Sequence, residues 1–516
     1  MDGGEDTLSS DEREALLSIA HGAVVTSGGL SIQRLCAIAL EAILTRGLGP
    51  GLYGVYAFGW RLTTMCLRFA NLGADTTLQR DLPANGGSPQ RQRRSLGLSY
   101  LTTLLTSLTI AALLILGAEW LNRATIDEPA FPTALRLFAL LLVAIAIVRM
   151  HAATLKAAKS ANGEVLLNRI VYPGSRLAAG LVAIGLGLSI EGVVGALVIV
   201  VGVIAVLAFP VTVRVVGVRP TITDLRREAV SFYDHAVPSA LSRVGGLLRT
   251  RVDVLLIGLL LTATAAGIYN VVLVLVAIAA IPLHAFNQLM PPVASHLYAA
   301  GKTATLNDVY TTITRLIVTA TVPLMACLVV FGPALLGIFG EEFKRGYAVL
   351  LVFLVGRFIG NAVGATGILM SMTNNHYPKM ILEWLLAALN LVLTYVFVLQ
   401  FGLIGAALGT SVAIGVQNLL QAVLLYRFEG LWPFDPTFLK PLTGGVVMIG
   451  PMAGVNHVLA DGYGIPIGAC VGLLVYGLAL RVQGLPASDR LLIRELWSSY
   501  RRQTRRRWQL VQGRFA

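Results

Sequence analysis

The chain has 516 residues, 56% of them apolar and 13% charged, with a net charge of +13, mean hydropathy +0.74 and pI about 9.8. Soluble domains carry about 25% charged residues, so this composition excludes an ordinary soluble enzyme and a disordered chain alike. A helical membrane crossing takes about 20 apolar residues, and fourteen crossings would use about 280, close to the apolar share.

In chain order, residues 1–17 form an acidic segment (Asp2, Glu5, Asp6, Asp11, Glu12, Glu14) without the basic start of a signal peptide. Apolar runs then predict spans near 18–44, 52–75, 97–118, 131–154, 170–188 and 192–213. A linker at 216–234 follows, with a short amphipathic lead near 224–233 like that at 11–20. A second series runs near 235–262, 265–291, 309–339, 347–372, 378–400 and 402–426, and two further spans near 440–460 and 463–480. Pro282, Pro291 and Pro292 predict a bend in the eighth span, and Pro323 one in the ninth. Cys36, Cys66, Cys327 and Cys470 all fall in apolar stretches and read as small core residues.

Basic residues set the orientation. Alternate connections and the two ends carry 26 of them, against four (Arg46, Arg123, Lys344, Arg345) on the other side, so both termini are expected in the cytoplasm of a cell-membrane protein. The outer loops are short, the longest near 119–130, which argues against a membrane glycosyltransferase or polymerase needing an outer catalytic acid.

The sequence repeats itself. Arg13-Glu14-Ala15 recurs as Arg227-Glu228-Ala229 and His21 as His235, at an offset of 214 residues. Gly54-Val55-Tyr56 recurs as Gly267-Ile268-Tyr269, and Gly192–Ala196 as Gly402–Ala406, at offsets of 213 and 210. The expected fold is therefore all-α: about 14 transmembrane helices in two six-helix lobes, 18–215 and 235–428, sharing one orientation because six is even. Spans 13 and 14, within 429–480, stand outside the repeat, as a packing pair or a groove for a lipid tail.

An arginine at mid-bilayer costs about 2.5–3.5 kcal/mol on insertion scales, so each within a span needs a reason. Arg136, Arg176, Arg243 and Arg315 lie near span ends and read as snorkelling. Arg34, Arg61 and Arg251 lie deeper, at about 14–16 Å below the outer boundary by a 1.5 Å rise per residue. Arg68, seven residues after Arg61, shares its helix face. Guanidinium binds phosphate oxygens bidentately, so Arg34, Arg61, Arg68 and Arg251 are the candidate phosphate-binding residues. Pairing with Glu41 or Asp253 is the alternative, and both carboxylates are also candidates for ion or proton coupling. Arg357, Asn361, Asn270 and Asn287 are candidate sugar contacts or, equally, interhelical hydrogen-bond partners.

Gly301-Lys302-Thr303 imitates the end of a phosphate-binding loop, but His296 stands where glycine is needed. No metal or cofactor motif occurs, no nucleophile stands beside a base, and neither catalysis nor a cofactor is expected. The tail, 481–516, carries nine arginines against Asp489 and Glu495, which suits docking on anionic lipid headgroups and not nucleic acid.

Several ordered segments carry a resemblance: Leu48–Tyr56, Arg251-Val252-Asp253, Ala266–Asn270, Ala285-Phe286-Asn287 with Pro291-Pro292, Met370–Tyr377 and Gly402–Ala407. Together they resemble the polysaccharide-biosynthesis (O-antigen-type) flippases of the multidrug/oligosaccharidyl-lipid/polysaccharide exporter superfamily, over about residues 15–430 and more loosely to 480. The resemblance implies a V-shaped fold of fourteen spans with a cationic central cavity. It also implies alternating-access flipping of polyprenyl-(pyro)phosphate-linked oligosaccharide to the outer leaflet, beside glycan-assembly enzymes. The family's cavity arginines match Arg34, Arg61 and Arg251 by position only. A cation-coupled multidrug exporter of the same superfamily is the alternative, and it would favour carboxylates and aromatics in the cleft and twelve spans.

Overall fold

The structure is a computed structural model. It describes residues 10–84, 88–158, 160–288, 290–459 and 463–484, with side chains from Gln33 onward except at 84, 161–162, 227, 241–252 and 376. The basic tail and the side chains of the lead at 11–20 lie outside the described residues.

The first half comprises α1 (Ser10–Cys66), α2 (Ala74–Ala84), α3 (Pro89–Leu116), α4 (Ala118–Ala124), α5 (Phe131–Ala157), α6 (Ala161–Val165), α7 (Tyr172–Gly185) and α8 (Ile190–Val216). One turn of π-helix, Leu166–Val171, joins α6 to α7. The second half opens with α9 (Arg226–Leu260), α10 (Ala263–Ala279), α11 (Ile281–Asn287), α12 (Met290–Ala299) and α13 (Thr303–Val330). It continues through α14 (Gly332–Gly337), α15 (Tyr347–Ala362), α16 (Thr366–Met372) and α17 (His376–Glu429), and ends in α18 (Leu439–Val458) and α19 (Gly464–Val482).

Among the described residues, nine helices are long and apolar enough to cross a membrane, or ten if α10 and α11, bent by 53°, form one span. This is a multi-pass membrane protein. The tally falls short of fourteen partly because two helices fold back on themselves. The chain turns at Gly49 (φ 73°) in α1 and at Gly402 (φ 56°) in α17, where a side chain would be strained. After Gly49, Tyr53 reaches back to bond Glu41 at 2.9 Å, a pairing twelve residues apart that a straight helix would hold about 18 Å apart. After Gly402, a Cβ on Gly405 would strike the Phe397 carbonyl and one on Gly409 would strike Thr394. Each is thus a helical hairpin of two limbs.

The bend expected in the eighth span falls at Ala280, ahead of Pro282, whereas Pro323 sits within an unbroken α13. Asn361 on α15 is fully buried and its Nδ2 donates to the Ala279 carbonyl (2.8 Å) and to Thr321 Oγ1 (3.1 Å). It satisfies a carbonyl exposed by the bend and ties three helices together, so the interhelical reading holds for Asn361 rather than the sugar-contact one. Arg315 does not snorkel either. It is 4% exposed on α13 and bonds Asp435 at 2.6 Å and Thr437 at 2.7 Å, anchoring the connection before α18.

The lobes meet backbone to backbone at the repeat-related glycines. A Cβ on Gly54 would collide with the Ala263 carbonyl, and one on Gly267 would lie 3.2 Å from the Gly54 Cα. One apolar core crosses the interface here, joining Tyr53, Val55 and Phe58 to Ile268, Tyr269, Phe343 and Phe353. Arg46 Nε adds a bond to the Ile338 carbonyl at 2.7 Å. At the opposite end, which bears the described termini, the lobes have separate cores around Leu78, Leu96 and Met150 and around Leu306, Tyr310 and Leu425. The start of α9 bridges them there, with Phe232 and Ala236 packed on Ala74 and Leu98, and Arg94 3.4 Å from Asp224 and 3.8 Å from Glu228.

The Gly54 contact is testable. Gly54→Ala is expected to lower stability by about 1–3 kcal/mol through overpacking against backbone, read as a reduced unfolding midpoint in detergent. Gly51→Ala, where a Cβ meets nothing within 4 Å, should leave it unchanged or raise it.

Candidate functional site

The second limb of α1 carries the site. Tyr53, Tyr56, Trp60 and Thr64 recur at three- and four-residue spacing and share one face, with Arg61 at its edge. The helix ends at Cys66, so Arg68 lies in the tight turns that follow, its N–H bonding the Met65 carbonyl at 3.1 Å. The shared helix face expected for Arg61 and Arg68 is therefore not continuous, yet the turn brings both side chains to one cavity.

That cavity has a volume of about 250 Å³ and is lined by Trp60, Arg61, Thr64, Met65, Arg68 and Arg149. Three guanidiniums converge, Arg61 from the second limb of α1, Arg68 from the turns after it and Arg149 from α5, and the described residues lining the cavity include no carboxylate. Planar guanidinium suits phosphate oxygens, which makes this cluster a candidate anion site.

Above it, a hydrogen-bonded chain crosses between the lobes. Arg61 Nε donates to Asn270 Oδ1 at 2.8 Å. Asn270 Nδ2 donates to the Tyr53 hydroxyl at 2.7 Å, and Tyr53 donates to Glu41 Oε2 at 2.9 Å. The charges of Arg176 and Arg61 also act on the buried Glu41 carboxyl. The second lobe buries a comparable pair, with Tyr269 donating to Asp253 Oδ2 at 2.6 Å. Each lobe thus holds one carboxylate of its first helix under a tyrosine of its second.

Of the predicted residues, Arg61 and Arg68 come together, and Asn270 and Glu41 join Arg61 through hydrogen bonds. Arg34 is exposed on the first limb of α1 and does not line the cavity. The Arg251 side chain lies outside the described residues. Arg357 is half-buried on α15, and Asn287 ends α11 with its Oδ1 buried and without a hydrogen-bond partner among the described residues.

Two arginines are more important than the sequence suggested. Arg149, assigned to a cytoplasmic connection, lines the cavity. Arg176, read as snorkelling, instead lies 3.7 Å over the Trp60 ring and 3.3 Å from the Tyr56 hydroxyl. The available signal was the aromatic spacing of Tyr56 and Trp60, which supplies a platform for a cation.

Residues 19–296, more than half of the chain, match the family described as "Polysaccharide biosynthesis protein". The chain belongs to that family. This polysaccharide biosynthesis family member is 24% identical over 323 residues to the "Probable low-salt glycan biosynthesis flippase Agl15" of Haloferax volcanii. The match takes in 60% of this chain and 65% of that protein, just under two thirds of its length. Among solved structures, the "Lipid II flippase MurJ, inward closed conformation" superposes with a TM-score of 0.69 at 15% identity, covering 89% of this chain and 98% of that one. An inward-facing "multidrug resistance MATE family transporter of the MOP superfamily" gives 0.62 at 17% identity, covering 79% and 98%. At those identities the two structures speak to the fold alone.

Tyr53→Phe removes the acceptor of Asn270 Nδ2 and the donor to Glu41 in one step. The expected cost is about 1–3 kcal/mol for buried polar groups left unpaired, seen as a lower unfolding midpoint. Tyr395→Phe on the exposed part of α17 should cost nothing measurable.

Proposed function

We propose that this family member flips polyprenyl-(pyro)phosphate-linked oligosaccharide from the cytoplasmic to the outer leaflet by alternating access. The observation that carries this reading is the basic cavity of Arg61, Arg68 and Arg149. The headgroup phosphate sits among these arginines, the sugar occupies the hydrated space beside Trp60 and Thr64, and the polyprenyl chain stays in lipid. Arg34 and Arg251 are further candidate phosphate-binding residues, and Arg357 and Asn287 further polar contacts for sugar. The excess of basic residues on the connections at the terminal end supports a cytoplasmic location for both termini in a cell membrane of fourteen crossings. The close contact at Gly54 then faces outward, and the cavity faces the cytoplasm. Glu41 and Asp253, each held by a tyrosine, are the carboxylates proposed to couple transport to an ion. The chain acts as a transporter and not as an enzyme, and its basic tail rests on anionic lipid near the enzymes that assemble the glycan.

The printed function of the Haloferax volcanii relative agrees with this reading. A multidrug exporter of cations fits less well, because three arginines line the cavity where a cationic cargo would sit.

Proteoliposomes test it. A polyprenyl-pyrophosphate oligosaccharide flipped by the wild type becomes accessible to a glycosidase added on the far side. Arg61→Ala and Arg68→Ala are each expected to lose at least tenfold in rate, from charged hydrogen bonds worth about 1.5–3 kcal/mol, and Arg149→Ala somewhat less because it is exposed. Extrusion of organic cations with no flipping by the wild type would refute the proposal.

A further inference from the structure

Arg61 belongs to two arrangements at once. It lines the basic cavity, and its Nε is bonded across the lobe interface to Asn270. Asn270 is 3% exposed and both ends of its amide are engaged, one by Arg61 and one by Tyr53. The donors run in one direction, from Arg61 to Asn270, to Tyr53, to Glu41, and only Asn270 in that chain belongs to the second lobe. The space beside the Arg61–Asn270 bond is walled by Ala57, Phe58, Val254, Ile257, Ala266 and Tyr269 and is too narrow for water. A bond lost here is therefore not replaced by solvent, which makes it count toward closure.

The bond also sits where closure is decided. Asn270 is one helical turn beyond Gly267, and Arg61 is two turns beyond Gly54, the glycines at which the two lobes touch at this end. An amide oxygen is a neutral, single acceptor. A phosphate offers charged oxygens in a bidentate pattern that matches the planar fork of the guanidinium and adds a direct charge–charge attraction that the amide lacks. An anion entering the cavity therefore competes with Asn270 for one guanidinium.

We propose that Asn270 is the latch residue of the closed end, and that a phosphate or pyrophosphate group in the cavity opens it by drawing Arg61 away. This rests on the flippase reading and deepens it: the cargo's own anion releases the gate, so an empty carrier stays closed. Asn270 is on this account a positioning residue for Arg61 and not a sugar contact. Because coupling between two equilibria is reciprocal, altering the latch must alter anion affinity as well as closure.

The test uses the full chain with its four cysteines replaced by serine and spin labels at Arg123→Cys and Glu342→Cys, two exposed positions on opposite lobes at the closed end. Inorganic pyrophosphate and farnesyl pyrophosphate serve as probes, with affinity read by calorimetry and lobe separation by pulsed dipolar spectroscopy. In the wild type the label distance should lengthen when either probe binds. Asn270→Ala should be long without probe and bind it at least tenfold tighter. Asn270→Asp, which converts the bond to Arg61 into an ion pair, should stay short and bind at least tenfold more weakly. A merely structural asparagine would not move affinity in opposite directions, and the Asp variant keeps the test valid if the Ala variant fails to fold. Response to farnesyl pyrophosphate alone assigns the trigger to the lipid-linked anion, and response to both assigns it to phosphate as such. Binding without any change in distance, or affinity shifts of the same sign in both variants, overturns the latch while leaving the anion site standing. No binding of either probe to the wild type overturns the anion site and the latch with it.

Discussion

Backbone meets backbone where Gly54 faces the 263–267 segment, and that contact is the constraint on which the rest of the architecture depends. With no side chain between them, the second limb of α1 and α10 approach closely enough for one apolar core to run through both lobes. The same approach brings Asn270 within reach of Arg61 and Tyr53. Away from it the cores separate, and there the fold can accommodate a cavity. A two-lobed transporter needs one closed end and one open end, and small residues at a crossing are the cheapest way to close one inside a bilayer, where no hydrophobic force drives helices together.

The arginines within the spans divide by what holds them. Arg315 ends on Asp435 and Thr437 and secures the connection to α18. Arg176 ends on the Trp60 ring and the Tyr56 hydroxyl, and its charge reaches Glu41. Burying a charge is tolerable when hydrogen bonds and an opposite charge or aromatic face replace water, and these two meet that condition within the protein. Arg61 bonds a neutral amide of the other lobe while its guanidinium also lines a cavity with Arg68 and Arg149. Trp60 joins the two groups, stacking under Arg176 and lining the cavity at once.

Much of this was legible in the sequence. The recurrence of Gly54-Val55-Tyr56 as Gly267-Ile268-Tyr269 marked two segments that turn out to touch, and hydropathy located α18 and α19 within two or three residues. Seven-residue spacing correctly joined Arg68 to Arg61, although the helix between them stops at Cys66. What the sequence did not yield were pairings across the fold. Depth along a helix placed Arg34 level with Arg61, but depth carries no azimuth, and Arg34 is not among the residues lining the cavity that Arg149 enters from α5. Proximity to a span end made Arg176 and Arg315 look like snorkelling residues, because linear distance to the interface says nothing about a ring or carboxylate arriving from another helix. Asn361 and Asn270 were indistinguishable as polar residues in apolar runs, and only their partners separate a brace from a latch.

The internal repeat also explains why the site lies off the centre of symmetry. At the local offset of 213, Tyr56 corresponds to Tyr269, but Arg61 corresponds to Val274 and Asn270 to Ala57. Duplication of a six-helix unit would begin with the same residue on both sides, and a symmetric pair of arginines facing each other across a dry interface would repel. Divergence has left a guanidinium in one lobe, an amide in the other, and an apolar side chain at each vacated position. Each lobe also buries a carboxylate bonded to a tyrosine, Glu41 with Tyr53 and Asp253 with Tyr269, but at positions the repeat does not equate: at the offset of 213, Glu41 corresponds to Val254 and Tyr53 to Ala266. On the proposed reading, closure carries an asymmetric load, since one lobe supplies the arginines that gather the anion and the other supplies the Asn270 amide that holds Arg61 until it arrives.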